Sequence, residues 1–593
     1  QRVVKPSIGS PRLVGNQDLS RAQAQRSIRR YPSARHDIRP GNRKLSQAIL
    51  AKTTKMVKTK KVKQKEKKRS DSAQLRETDL AIAKHGLEAE WPQGMADELA
   101  AHEDVQAVFR REGRLDLTEL PLITIDGADA MDFDDAVAAR KERDGWTLWV
   151  AIADVSHYVR IGSLLDHAAF ERGTSVYFPD RVIPMLPESL SNDLCSLRPG
   201  EHRLALIAVI DVSHDGEVRD WRFERGMMRS HARLTYEEVG SYLSSDQRAT
   251  PLDWSEKVRK TVDDLADIAV TLRAFRDRQG TIDFSFSEAS IDLSGEGEVK
   301  SISVRGRSPA TKLIEECMLA ANVCAARSLQ ALGEAIYRIH DAPSPEDVSH
   351  LRGALSTVGL KLPGKQKPSV KDMQSALDGA RKKIGQDKWV QMLLLRSLKQ
   401  ACYVSSPGGH FALGFSLYTH FTSPIRRYPD LIVHRLLKGI HQWDGGALYD
   451  QKAGLLGEIA ARCSLTERQG EDAVRQVIAQ LKARYMRGKI GGEFSGVITS
   501  VTEFGVFVEL DDLPVDGLVH VSQLGRDYFR FEPEKMQLIG ERTAKRIRPG
   551  DALRVVVAGV DITAGQVSFS LPGVAKAGAS RSGKKDRRPK KRH

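Results

Sequence analysis

At 593 residues the chain is long enough for about three or four domains with cores of their own. Its formal charge of +15 sits at the two ends, since residues 1–69 hold 21 Lys/Arg against 3 Asp/Glu and residues 574–593 hold 9 against 1, which makes the stretch between them net acidic. Five separated cysteines without a CxxC pair exclude a zinc-finger or disulfide-framework protein, and with no apolar run of about 18 residues and no signal-peptide pattern the expectation is a soluble, cytoplasmic protein with no membrane partner.

Residues 1–74 place few apolar residues in any periodic arrangement and end in KTKKVKQKEKKRS. They have little surface to bury, so they are expected to be a disordered basic segment, and 573–593 a disordered basic tail. Such tails neutralise phosphates without a fold, which suggests nucleic acid, although solubility alone is served equally well. Short amphipathic stretches around WPQG make 75–117 a linker region passing along a surface. From 118 strands begin: PLITID, WTLWVAIADV and RLALIAVIDV are β-branched or aromatic runs of strand length. Apolar residues at three- and four-residue spacing predict helices over 311–332 and 390–402. The fold class expected is α+β, with one large mixed domain over 118–485. Over 490–572 the pattern changes to EFSGVITSV, FGVFVEL, GLVHVSQL, LRVVVAGVD and QVSFSL. Five short alternating strands in about 80 residues, parted by Gly/Asp turns, predict a small closed OB-fold β-barrel.

The chemistry concentrates in ITIDGADAMDFDDAV (123–137), which holds Asp126, Asp129, Asp132, Asp134 and Asp135 within ten residues. An exposed acidic turn is the plain alternative. The apolar strand before the cluster and AVAA after it put part of it near a core, where unpaired carboxylates are strongly disfavoured and a positive partner is required. Hard oxygen donors packed this tightly suit Mg2+ or Mn2+ rather than zinc, and DxDD is not the spacing of an EF-hand. Two such ions about 3.5 to 4 Å apart activate water and stabilise the leaving oxygen in phosphodiester hydrolysis.

This segment resembles the first signature of the ribonuclease II superfamily catalytic domain, the RNB domain, and SPIRRYPDL (423–431) resembles its second. GTSVYFPDRVIPMLPESLSNDLCSL (173–197), SHARLTY (230–236) and KLIEECMLAANVCAARSL (312–329) resemble that family in order and spacing, and the similarity spans about 80–572. The resemblance implies that Asp126, Asp132, Asp134 and Asp135 are the metal ligands, with Asp134 indispensable for chemistry and Asp129 a turn residue. It implies that Arg426 contacts the scissile phosphate; a surface ion pair with Asp430, four residues on, is the competing reading. Tyr177 and Phe284 correspond to aromatics that stack on bases near the 3′ end, and Tyr236 and Glu315 to residues beside the ribose, with core or surface positions as the plain alternatives. The barrel resembles the S-one type RNA-binding domain. There Phe504, Phe507, His520 and Tyr528 are expected on the binding face, Phe507 and His520 foremost, unless the aromatics fill the barrel.

The activity that this resemblance implies is that of a processive, metal-dependent 3′→5′ exoribonuclease, releasing nucleoside 5′-monophosphates from single-stranded RNA and RNA 3′ ends. The protein is expected to be a monomer, with ribosomal or RNA-decay partners. Members of this type carry cold-shock OB domains ahead of the catalytic region, and 1–74 does not read as their strands. Either such a variant lacks them or the sequence, which opens on Gln1, is truncated or misread upstream. The alternatives are a catalytically silent RNA-binding protein and a metal-dependent DNA phosphodiesterase.

Overall fold

The structure, a computed structural model, describes residues 76–573 apart from 101, 245–252, 285–287, 385–387 and 444–453. The basic segment expected at 1–74 lies outside the described residues, as does the basic tail of 573–593 beyond Gly573.

The first nine strands are β1 (Leu115–Leu117), β2 (Ile123–Asp126), β3 (Asp135–Glu142), β4 (Gly145–Ala153), β5 (Val176–Tyr177), β6 (Val182–Ile183), β7 (His202–Ser213), β8 (Val218–Arg229) and β9 (Ala232–Thr235). Seven of them form one sheet in the order β1-β8-β7-β4-β3-β2-β9, while β5 and β6 pair as a separate hairpin. β1 runs parallel to β8 and β2 parallel to β9; the other pairings are antiparallel. The central strands β4 and β7 are buried along almost their whole length. The Pro309–Leu329 helix packs on both, and the Glu256–Gln279 helix packs on β3. Strands covered on both faces need continuous apolar runs, which is what WTLWVAIADV and RLALIAVIDV supply.

The first expected helix forms as Pro309–Leu329, capped by the Ser308 hydroxyl accepting from the Thr311 N–H, and one 3-10 turn, Gln330–Leu332, extends it. The second is shorter than its apolar spacing suggested. It spans Lys388–Ser397, and Cys402–Val404 pairs instead as a strand with Tyr337–Ile339. Local spacing runs on through Leu398, but the Cys402-Tyr-Val tripeptide has an antiparallel partner that a helix would forfeit. The 75–117 segment is more than a linker: it contributes the helices Glu77–His85, Met95–Ala100 and Val105–Glu112, and β1 joins the main sheet. Arg114 locks it there, with a fully buried guanidinium that donates to the equally buried Asp154 at 2.8 Å.

The barrel closes through Glu493–Thr502, Gly505–Leu510, Asp516–His520, Gln566–Ser570 and Ala552–Asp561, neighbours in that order. Val506, Val508, Val519, Val555 and Phe569 point inward, joined by Ala483 and Met486 of the long Leu455–Arg487 helix, so the barrel core is continuous with that helix. A three-stranded sheet, Phe529–Glu532, Gln537–Gly540 and Arg546–Ile547, is inserted before the last two barrel strands. Its strands are too short to show alternation. No helix among the described residues is long and apolar enough to cross a membrane.

Candidate active site

β2 ends on Asp126 and β3 begins on Asp135, so the segment that joins them carries Asp129, Asp132 and Asp134. It is held from both sides. Arg233 of β9 donates from one guanidinium nitrogen to the carbonyls of Gly127, Ala128 and Ala130, and stands 5.4 Å over the Phe133 ring. From the other side the Ser196 hydroxyl donates to the Met131 carbonyl at 2.8 Å and accepts the Phe133 N–H at 3.0 Å. The Ala153 N–H, at the end of β4, donates to the Asp134 carbonyl at 2.8 Å. The carboxylates are therefore carried on a braced backbone, and with Asp134 only 4 % exposed the acidic-turn alternative fails.

Asp134 meets the second signature directly. The Ile425 N–H donates to Asp134 Oδ1 at 2.8 Å, and Arg426 Nε lies 3.4 Å from Asp134 Oδ2. The competing pair of Arg426 with Asp430 does not form. Arg427 takes Asp430 at 2.7 Å, and Asp430 also accepts the Ser423 N–H at 2.8 Å, leaving Arg426 to face the aspartates, with one guanidinium nitrogen 3.3 Å from the Ser423 hydroxyl. Burial pushes the Asp134 carboxyl up to about 8 against the pull of Arg426, and Asp126 up to about 6. Asp135 is raised well above the carboxylate range by burial and by Asp126 and Asp134 beside it.

Asp126 Oδ2 is buried without a hydrogen-bond partner, and Asp134 Oδ2 has only the ion pair with Arg426 at 3.4 Å, which leaves the cluster short of positive charge. All the donors are oxygens, which fits a hard divalent cation. Among the described residues no group of three or more His, Cys, Asp or Glu side chains is placed to hold a metal ion. An ion bound here would take one or two of these carboxylates together with waters and substrate phosphate oxygens, as Mg2+ does elsewhere.

A cavity of about 930 Å³ brings together Asp126, Asp132, Asp134, Asp135, Tyr177, Tyr236 and Arg426. Tyr177 is 43 % exposed in it, so it is not a core residue, and its hydroxyl donates to Asp132 Oδ2 at 2.9 Å. Its hairpin is zipped to the second signature, the Ser175 N–H donating to the Arg426 carbonyl at 2.9 Å and the Tyr428 N–H to the Gly173 carbonyl at 2.9 Å. Tyr236 opens the Tyr236–Ser244 helix straight after β9, the strand that braces the aspartates.

Of the residues expected beside the RNA 3′ end, two are not in this cavity lining. Glu315 lies one turn beyond Thr311, which does line it, and its carboxylate is 3.9 Å from Arg307. Phe284 is half-buried against a separate apolar group that includes Ile282, Leu351 and Trp389. On the barrel, Phe507 is half-buried on the outer face between inward Val506 and Val508, with its ring edge-on to Phe504 at 6.1 Å. His520, Phe504 and Tyr528 are exposed, and the His520 ring is tethered to the Ser522 hydroxyl at 2.9 Å. None of these four fills the barrel. Sequence reasoning missed Arg233, Ser196, Arg427 and the Ile425 N–H; the first two sit inside the motifs SHARLTY and NDLCSL, whose spacing alone assigns them no contact.

Buried aspartates braced at the end of two sheet strands, facing an arginine across a cavity and followed by an OB-type barrel, define a protein of the RNB-plus-S1 class. The RNB domain model matches residues 114–442 and the S1 RNA binding domain model residues 488–571; the chain belongs to the RNB domain family. It is similar to ribonuclease R of Escherichia coli, 43 % identical over 508 residues that make up 83 % of this chain and 62 % of that protein. The chain thus spans about three fifths of the length of that relative. The motifs resemble those of bacterial ribonuclease R, in agreement with this match. Among solved structures, Mycoplasma genitalium ribonuclease R in complex with ribose-methylated single-stranded RNA superposes with a TM-score of 0.79 at 29 % identity, covering 83 % of this chain and 77 % of that one. Yeast Ssd1, described as a pseudonuclease, shares the fold with a TM-score of 0.61 at 18 % identity, over 78 % of this chain and 57 % of its own.

Proposed function

We propose that the chain is a hydrolytic 3′→5′ exoribonuclease that acts processively on single-stranded RNA and releases nucleoside 5′-monophosphates. The observation that carries this reading is the meeting of Asp134 with Arg426 and the Ile425 N–H in a cavity large enough for a terminal nucleotide. Bound Mg2+ or Mn2+ would supply a Lewis acid and a water acidified enough to attack phosphorus, each ion held by one or two of Asp126, Asp132, Asp134 and Asp135 together with waters and phosphate oxygens. Arg426 neutralises the charge that grows on the phosphate oxygens as the bond from phosphorus to the 3′ oxygen of the penultimate nucleotide breaks. Tyr177 stacks on a base near the end, and Tyr236 stands where a ribose hydroxyl distinguishes RNA from DNA. Phe507 and His520 on the barrel, with the basic tails, hold RNA upstream. Glu315 and Phe284 belong to the same substrate path, outside the cavity.

The test is incubation of a 5′-labelled RNA, and of the matching DNA, with Mg2+ and with EDTA. A stepwise ladder from RNA in Mg2+ alone is expected; cleavage of DNA alike, or activity in EDTA, overturns the reading. The second reading, a catalytically silent RNA-binding protein, draws on the fold shared with a pseudonuclease. The retained aspartate quartet and Arg426 count against it.

Tyr177→Ala is expected to weaken binding of short RNAs by roughly ten- to a hundredfold, the value of about 1 to 3 kcal/mol per stacked base. Long RNAs, held by the barrel as well, lose little, so the smallest fragment left behind grows. A gel of limit products decides, because a lowered melting temperature with an unchanged fragment length would mark the ring as structural only.

A further inference from the structure

The turn between Asp126 and Asp132 has few contacts of its own to hold it. Ala128, Asp129 and Met131 are exposed, nothing lies within 4 Å of where a side chain on Gly127 would begin, and one backbone hydrogen bond, from the Ala130 N–H to the Gly127 carbonyl at 3.1 Å, closes it. Yet Asp126 stands at one end of this turn and Asp132 just past the other, so its shape fixes the spacing of those two carboxylates. Arg233 is what the turn wraps around. β9 pairs with β2 so that Arg233 lies level with Thr124, and one guanidinium nitrogen takes the carbonyls of Gly127, Ala128 and Ala130 at 2.5 to 3.4 Å. That nitrogen has two N–H groups for three acceptors, and the neighbouring Nε is buried with no hydrogen-bond partner. Three carbonyls from four consecutive residues thus converge on one positive charge, as they do around a bound cation.

We infer that Arg233 is a positioning residue for the divalent cation: it presets the spacing of Asp126 and Asp132, so that an incoming ion does not have to order the turn itself. This rests on the exoribonuclease reading, in which these carboxylates hold Mg2+ or Mn2+. A turn left loose is ordered only at the moment of binding, and that cost is subtracted from the affinity. Groups that orient metal ligands without touching the ion are typically worth about ten- to a hundredfold in metal affinity. Because the three carbonyls meet at one nitrogen, a lysine ammonium with three N–H groups meets the same demand. A neutral amide on a shorter arm, with two N–H groups and no charge, does not.

The test uses the full chain with Arg233→Gln and, separately, Arg233→Lys. Mn2+ alone is the probe in titrations without RNA. The Mg2+ concentration for half-maximal turnover is the second reading, beside RNA binding and thermal melts in EDTA. Arg233→Gln is expected to need about ten- to a hundredfold more Mn2+ or Mg2+, with the KM for RNA, RNA binding in EDTA and turnover at saturating Mg2+ within about threefold of wild type. Arg233→Lys recovers most of the cation affinity. The inference is overturned if Arg233→Gln leaves both cation readings unchanged, or if Arg233→Lys does no better than Arg233→Gln. It is overturned equally if cation affinity falls only in step with RNA binding in EDTA and the melting temperature, which marks a brace of the fold at large. A wild-type chain that binds Mn2+ but never shortens RNA overturns the exoribonuclease reading and leaves the Mn2+ titrations to decide this inference, whereas one that binds no Mn2+ and shortens no RNA overturns both.

Discussion

Asp134→Asn is expected to abolish hydrolysis while RNA binding persists, and to make the metal-free protein more stable. The first effect arises because the substitution removes a charge from the cluster facing Arg426, at 3.4 Å, and from any cation held there. Loss of electrostatic stabilisation worth several kcal/mol, at about 1.4 kcal/mol per factor of ten, is on the order of a thousandfold or more in turnover. Phe507 and His520 lie on the separate barrel and are untouched. The second effect comes from linkage. A carboxyl raised to about 8 in the folded protein by burial keeps its proton after the unfolded chain, at the ordinary 3.8, has released it. Stability of the metal-free wild type therefore falls as pH rises from about 4 to about 8, and the neutral amide abolishes that slope at this site. Thermal melts in EDTA across this range, beside turnover in Mg2+, check both. Near-normal turnover, or a variant that melts below wild type at the alkaline end, would sink the account.

Asp154→Ala is expected to cost the fold roughly 3 to 5 kcal/mol, the penalty for stripping one partner from a buried ion pair. Asp154 has no exposed side-chain surface and accepts from Arg114 at 2.8 Å on one oxygen and from Lys438 at 2.7 Å on the other. Arg114 leads into β1, and Lys438 is in the last turn of the Tyr428–Ile440 helix that follows Arg426 and Arg427. One carboxylate thus joins the edge of the sheet to the helix behind the second signature. Burial alone would raise its pKa, but Lys438 and Arg114 outweigh it and hold it well below the carboxylate range. Its contribution is complete above about pH 4 and is lost on acidification below that, the opposite sign to Asp134. Denaturant melts at neutral pH measure the loss, and a change under about 1 kcal/mol would show the cluster to be dispensable. Replacing all three partners by apolar residues is the informative contrast, since such exchanges are often close to neutral.

Sequence alone was enough wherever local pattern and residue chemistry decide the outcome. The five barrel runs alternate because one face of each strand is buried, and all five became barrel strands. The apolar runs of β4 and β7 announced strands, and the crowding of five aspartates between apolar segments announced a site that needs positive charge. Tertiary structure alone decided which groups meet. Helical spacing offers Asp430 to Arg426, yet the chain gives it to Arg427, because the Ser423–Arg427 turn is shaped by Asp430 accepting the Ser423 N–H before the helix begins. The donor that Asp134 receives from Ile425 crosses 291 positions of sequence. Phe284 and Tyr177 look alike as aromatics in short apolar runs, but one packs half-buried against a helical group and the other opens into the cavity. Periodicity reports only whether a face is buried. What covers that face, or leaves Tyr177 open to the cavity, is set by contacts between distant segments, which no local pattern encodes.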